Sequence, residues 1–187
     1  MFDLGDGRVL RRFIAGGDAE REAMVMRHAS AHGYPVPRVL EVRDGELVLE
    51  LITGPSMRER ADAAMLADLH ARLHAIVAPP ELPSAGPGDR LIHLDLHPEN
   101  VILSADGPVV IDWTNACRGS PALDVAMTYL LCTVHGCEPG RELARAFATF
   151  FDLDELREAM PVAIELRCAD RNVTQDERDA ARAVALP

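Results

Sequence analysis

Polar and hydrophobic positions change their spacing several times along the chain, and each change marks an element. Arg8 to Ile14 (R-V-L-R-R-F-I) follows a Gly5-Asp6-Gly7 turn and reads as a strand. Ala15-Gly16-Gly17 breaks the pattern, and Asp18 is placed to open a helix running to about Ala31. Pro35-Val36-Pro37 ends that helix. Two short apolar segments, Arg38 to Val42 and Glu46 to Leu51, flank Arg43-Asp44-Gly45, a turn sequence that predicts a hairpin.

Past Gly54-Pro55 the spacing lengthens. From Met57 to Ile76 the apolar residues Met65, Leu66, Leu69, Leu73 and Ile76 recur at steps of three and four, which predicts an amphipathic helix. A loop rich in Pro and Gly spans Ala78 to Gly88. Short apolar runs follow at Leu91-Ile92, Val101 to Leu103 and Val109 to Ile111, the last two joined by the turn sequence Ser104 to Pro108. Ser120-Pro121 supplies an N-cap and a first-turn proline for a helix to about Val134. Further helices are expected at Arg141 to Phe151, at Leu153 to Ala169 with a break at Pro161, and from Thr174 onward, where Thr174 and Glu177 have capping-box spacing. The expected class is α+β: a sheet lobe with one helix over residues 1–53, a connecting segment near Glu50 to Gly54, and a helical lobe over 54–187.

Composition narrows the function classes. The 187 residues are 48% hydrophobic and 26% charged, enough for a proper core. A net charge of −11 repels nucleic-acid phosphates and anionic lipid headgroups, so neither is expected as a partner. Every basic residue is Arg, which excludes a Schiff-base lysine and a Walker-type G-K-[ST] loop. Cys117, Cys132, Cys137 and Cys168 have neither C-x-x-C spacing nor a paired-His pattern, so free thiols in a reducing compartment are expected rather than zinc or disulfides. The first residues carry no signal-peptide pattern. The longest near-apolar stretch, Ala122 to Val134, is short and contains Asp124, so no membrane span and a cytoplasmic location are expected.

The chemistry concentrates in His93-Leu-Asp95-Leu-His97-Pro-Glu-Asn100, followed by Ile111-Asp112-Trp113 at the end of a hydrophobic strand. Two carboxylates and a carboxamide brought together by a loop and a hairpin suit phosphoryl transfer from a nucleotide. One carboxylate orients a hydroxyl nucleophile and accepts its proton, while an amide oxygen and a second carboxylate hold magnesium on the phosphates. Hard oxygen ligands suit that ion.

With these residues the sequence resembles the aminoglycoside phosphotransferase and choline kinase-like family, which has a protein kinase-like fold. Tyr34-Pro-Val-Pro-Arg38, Leu49-Glu-Leu-Ile-Thr-Gly54, and Gly119-Ser-Pro121 with Asp124 add to the match, which covers roughly Arg8 to Leu131. The resemblance implies a magnesium-dependent transfer of the terminal phosphoryl group of ATP or GTP to a hydroxyl of an aminoglycoside- or choline-like small molecule. It makes Asp95 the catalytic base, Asn100 and Asp112 the magnesium ligands, and His93 and Asp124 the residues that fix the catalytic loop. In such enzymes a basic strand residue pairs with the nucleotide phosphates and with an acid on the first helix. Arg11 and Glu22 take those places here, with Glu20 the alternative acid, and Glu50 of the connecting segment joins the nucleotide-binding set. Strand alternation puts Arg11 on the nucleotide face and turns Arg12 away.

The chain departs from the family pattern at its start. About seven residues precede the Arg8 strand, so the hairpin whose loop covers the phosphates is expected to be absent, giving a truncated bilobal fold. Gly5-Asp6-Gly7 reads as an ordinary turn. The alternative reading is therefore a pseudokinase-like nucleotide-binding or regulatory module without efficient transfer; a weaker third is a magnesium-dependent hydrolase. Other residues carry plainer expectations. His97 reads as loop packing, His70 and His74 as solvated or core-edge histidines, and Trp113 as packing behind the metal site. Asp152, Asp154, Glu155, Glu158 and Glu165 read as a solvated helix face, with a pocket for a cationic acceptor as the alternative.

Overall fold

The computed structural model describes residues 1–13, 18–43, 45–134 and 138–186. Phe2–Gly5 (β1), Arg8–Arg12 (β2), Val39–Arg43 (β3) and Glu46–Glu50 (β4) form an antiparallel sheet in the order β1-β2-β4-β3. The sequence pattern predicts three of these strands. The edge strand β1 arises because Gly5, Asp6 and Gly7 take φ of +75°, +52° and +70°, a left-handed run that folds the preceding residues back onto β2. Gly7 accepts a hydrogen bond from Leu51 N, so this turn abuts the connecting segment. Ile14, the Ala15–Gly17 break, Asp44 of the predicted turn and Cys137 lie outside the described residues.

Ala19–Ala31 (α1) packs on this sheet through Ala23, Val25, Met26 and Ala29, and Asp18 caps it by accepting from Arg21 N. The single helix predicted over Met57 to Ile76 is instead two pieces. Ser56 caps a 3-10 turn over Met57–Arg60, and Asp62 accepts from Met65 N to start Ala63–His74 (α2) afresh. Apolar spacing cannot register this break, because the two caps that cause it are polar.

Arg90–Ile92 (β5) pairs antiparallel with Cys117–Gly119 (β8), and Val101–Ser104 (β6) forms a hairpin with Gly107–Val110 (β7). Helices Pro121–Val134 (α3), Glu138–Ala148 (α4), Leu153–Ala169 (α5) and Gln175–Arg182 (α6) complete the chain. The predicted capping box is present: Thr174 and Glu177 bond each other's backbone N–H groups. The expected break at Pro161 is not. Helix α5 runs through it because Leu156, Met160 and Ala163 bury one face against the core, and α5 packs extensively on α3. That packing outweighs a helix-interior proline, which costs about 3 kcal/mol. Helix α4 starts earlier than predicted because Pro139 sits in its first turn, where no backbone donor is missed.

Helix α3 is the structural centre, buried from Leu123 to Cys132, including the polar Asp124 and Thr128. Around it lie Leu91, Ile92, Leu96, Trp113 and Phe147, all fully buried. Cys117, Cys132 and Cys168 are free thiols. Burial pushes the thiols of Cys117 and Cys132 up to about 12. Among the described residues no helix is long and apolar enough to cross a membrane.

Candidate active site

The β6–β7 hairpin assembles the site. Its register pairs Val101 with Val110, and one step further Ile111 N donates to Asn100 O at 2.9 Å, which sets Asn100 beside Asp112. Asn100 turns its Nδ2 to Asp95, donating to the backbone carbonyl at 2.8 Å and to Oδ2 at 3.0 Å. The amide oxygen Oδ1 is thereby directed away from Asp95. Asn100 is thus bonded to Asp95, and the Asp112 charge is near enough to act on the Asp95 carboxyl.

A buried polar frame holds the loop that carries them. Asp124, fully buried on α3, accepts from His93 N at 3.1 Å and Leu94 N at 2.7 Å, and its Oδ2 lies 2.9 Å from His74 Nε2. Burial alone would raise this carboxyl. The bond from His74 and the neighbouring histidines overcome that effect and hold it well below the usual carboxylate range. Leu94 has φ +60° and Asp112 φ +62°, left-handed conformations that non-glycine residues keep only where the surroundings enforce them. Asp124 supplies that enforcement at Leu94.

His93 is fully buried. Its Nε2 lies 3.2 Å from the Ile111 carbonyl and its ring meets Trp113 edge to face at 4.7 Å. Burial lowers its pKa. A neutral ring donating to Ile111 O sets the backbone just before Asp112, so His93 positions the site without touching the cleft. Trp113 packs behind the site, 1% exposed, as expected.

Arg11 ties the sheet to this centre. Its NH1 is 3.2 Å from Glu22 Oε1, and its NH2 is 2.7 Å from Asp112 Oδ1 and 2.6 Å from Thr114 Oγ1. Arg12 points outward to Glu46, so of the two arginines it is Arg11 that the strand turns toward Asp112. Glu20 is exposed and Glu22 is 2% exposed, which settles which acid faces inward. Glu22 Oε1 also accepts from Trp113 N at 3.2 Å. Burial raises the Glu22 carboxyl although Arg11 opposes it. Burial would also raise Asp112, but Thr114 and Arg11 outweigh it and hold that carboxyl below its usual value. Asp95 is raised, by burial first and by the nearby Asp112 charge, against His93 and Asn100.

A narrow slot of about 70 Å³ opens beside these groups, walled by Val9, Met26, Leu49, Leu51, Ile102 and Ile111, with Arg11, Glu22 and Asp112 at its polar end. Glu50 borders it too, with its carboxylate bound to Arg38 at 3.1 Å. The slot is apolar along its walls and ends in an arginine and two carboxylates. Among the described residues no group of three or more His, Cys, Asp or Glu could hold a metal alone. Asp112 and Asn100 Oδ1 nonetheless fit magnesium, which takes few protein carboxylates and shares its shell with substrate phosphates.

Several participants escape sequence reasoning. His97 Nε2 lies 3.6 Å from Asp95 Oδ1, so it adjoins the carboxylate; the H-x-D-x-H spacing was the available signal. His70 and His74 belong to the frame under the loop rather than to the surface. His70 is fully buried, and the Thr128 hydroxyl lies between its Nε2, at 2.9 Å, and the Leu96 carbonyl, at 2.8 Å. Of the α5 acids, Glu155 and Glu158 border a cavity of about 580 Å³ with Ser120, Pro121 and Val162. Asp152 caps α5, Asp154 pairs with Arg157, and Glu155, Glu158 and Glu165 are exposed. From the same helix it is Arg167 whose charge reaches Asp95 and partly opposes the rise of its carboxyl.

The profile of the phosphotransferase enzyme family matches residues 57–159, more than half of the chain, and includes Asp95, Asn100, Asp112 and Asp124. This chain belongs to that phosphotransferase family. Solved structures share its protein kinase-like fold. It is similar to an aminoglycoside-3'-phosphotransferase of type VIII, with 21% identity, TM-score 0.61, and coverage of 94% of this chain and 82% of that one. For a thermostable mutant of aminoglycoside phosphotransferase APH(4)-Ia the values are 17%, 0.70, 97% and 86%. For the choline kinase LicA from Streptococcus pneumoniae they are 16%, 0.58, 94% and 83%. No curated protein matches the sequence.

Proposed function

We propose that this phosphotransferase moves the terminal phosphoryl group of ATP or GTP to a hydroxyl of a small molecule of the aminoglycoside or choline kind. The observation that carries the reading is Arg11, bonded at once to Glu22 of α1 and to Asp112 beside the Asp95–Asn100 loop. A cation fixed there, at the polar end of an apolar slot, suits nucleotide phosphates. A structure of APH(4)-Ia that this fold resembles is a ternary complex with ADP and hygromycin B, which supports a nucleotide in the slot and a small acceptor outside it.

In this reading residues 1–53 form the smaller lobe over the nucleotide and residues 54–187 the larger one. Arg11 grips the phosphates while Glu22 holds its guanidinium in place. Asp95 orients the acceptor hydroxyl and takes its proton. Its raised pKa brings it nearer working pH and makes it a better base than a solvated aspartate. Asn100 through Oδ1, and Asp112, would hold magnesium beside the phosphates, and that ion would supply charge neutralisation there. Rate then comes from positioning and charge neutralisation.

The test is thermal denaturation with ADP, with and without magnesium, followed by nucleotide consumption against a panel of amino alcohols, aminoglycosides and sugars. Magnesium-enhanced stabilisation and turnover on a panel member support the reading. Equal stabilisation with and without magnesium and no turnover overturn it in favour of a binding module.

A further inference from the structure

Thr114 lies outside every motif described above, yet its hydroxyl sits between the two charged groups at the polar end of the slot. It donates to Asp112 Oδ1 at 2.7 Å and accepts from Arg11 NH2 at 2.6 Å. Its own backbone is held in turn: the carbonyl accepts from Arg21 NH2 at 2.8 Å, and the preceding residue, Trp113, donates its N–H to Glu22. Two adjacent residues of α1, Arg21 and Glu22, thus anchor the segment that follows Asp112.

We propose that Thr114 is a positioning residue that fixes the rotation of the Asp112 carboxylate, engaging Oδ1 so that Oδ2 is presented to a metal–nucleotide complex. The inference rests on the reading that Asp112 is a metal ligand. Asp112 sits in a left-handed conformation, with ψ +69°, that its own side chain does not stabilise by capping the turn after it. A carboxylate on such a residue needs an outside partner to hold its rotation. Arg11 is one such partner, but a guanidinium drawn onto incoming phosphates gives up part of its hold on Asp112. The Thr114 hydroxyl is neutral and anchored through its backbone, so it keeps Oδ1 engaged when Arg11 turns. Partner groups that orient a metal ligand in this way commonly change metal affinity by about 10- to 100-fold when removed.

The test uses ADP as the probe and the emission of Trp113, the chain's one tryptophan, as the signal, so no acceptor is needed. Titrations are run in magnesium and in EDTA. Thr114→Val keeps the shape and loses the hydroxyl. It is expected to weaken magnesium-dependent ADP binding by about tenfold or more while leaving binding in EDTA within about threefold. Thr114→Ser, which keeps the hydroxyl, is expected to stay within about threefold of the parent in both titrations. Should Thr114→Val fail to fold, Thr114→Ala is read in its place. A Val or Ala variant that keeps the parent's magnesium dependence, or a Ser variant that loses it, overturns the role of Thr114 alone. A parent protein that binds ADP equally with and without magnesium, or not at all, overturns the proposed function and this inference with it.

Discussion

Asn100 donates its amide Nδ2 to the Asp95 carboxylate at 3.0 Å, so the residue proposed to hold the metal also orients the residue proposed to take the proton. The same amide group braces the Asp95 carbonyl at 2.8 Å, which ties the loop's backbone to the start of β6. Loop, hairpin and base therefore act as one unit.

Replacing Asp95 with Asn removes the proposed proton acceptor, which lies outside the lining of the slot. Turnover on any acceptor found in the panel is expected to fall by at least about a hundredfold. ADP affinity, read by Trp113 emission, should remain near that of the parent. Turnover within a few-fold of the parent would sink Asp95 as the base.

Arg11 and Arg12 are neighbours with opposite predicted consequences. Arg11→Met leaves the carboxylate of Glu22 buried without its counter-charge, which costs about 3 kcal/mol or more, and abolishes nucleotide binding. The double variant with Glu22→Gln should recover most of the stability and none of the binding. Arg12→Ala breaks an exposed pair with Glu46 and should change stability by less than about 1 kcal/mol. Urea denaturation of the four proteins, with ADP titrations beside it, checks each expectation.

Asp124→Ala strips His93 N, Leu94 N and His74 of their common acceptor, and is expected to cost about 3 kcal/mol or more. The linkage runs in one direction. The folded carboxyl is held below its ordinary value of 3.8, so its contribution is full above that pH and is lost as pH falls below it. Denaturant midpoints followed from pH 5 down to pH 2 should show the parent losing stability below about pH 4 more steeply than the Asp124→Ala variant. Parallel curves would refute the frame.

His70 acts higher on the pH scale. Burial lowers it from 6.5 to about 4, so the folded state holds the neutral ring. Stability from this group is full above about pH 6.5 and declines as pH falls toward 4, by about 3 kcal/mol in all. Denaturation of the parent and of His70→Gln at pH 7.5 and pH 5 measures it, with a smaller pH effect expected in the variant.

Some features were legible in the sequence because they depend on neighbours along the chain. Asp18, Thr174 and Glu177 announce their caps through residue types three apart. Alternation along β2 separates Arg11 from Arg12, since successive strand residues point to opposite faces. The H-x-D-x-x-x-x-N spacing, with an Asp just past the hairpin that follows, marks the site because that short hairpin joins its two ends.

Other features depend on residues distant in sequence. Thr114 reaches Arg11 across 103 positions and His74 reaches Asp124 across 50, and neither carries a local signal. Burial decides them: a hydroxyl or an imidazole becomes part of a site only when the core withdraws it from water and leaves one partner within reach. Pro161 makes the same point in reverse, a local breaker overruled by the packing of α5 on α3. The order of residues determined which groups could do chemistry and on which faces they lie. Only folding decided which of them meet, because contacts between distant segments are set by how the hydrophobic faces close on one another.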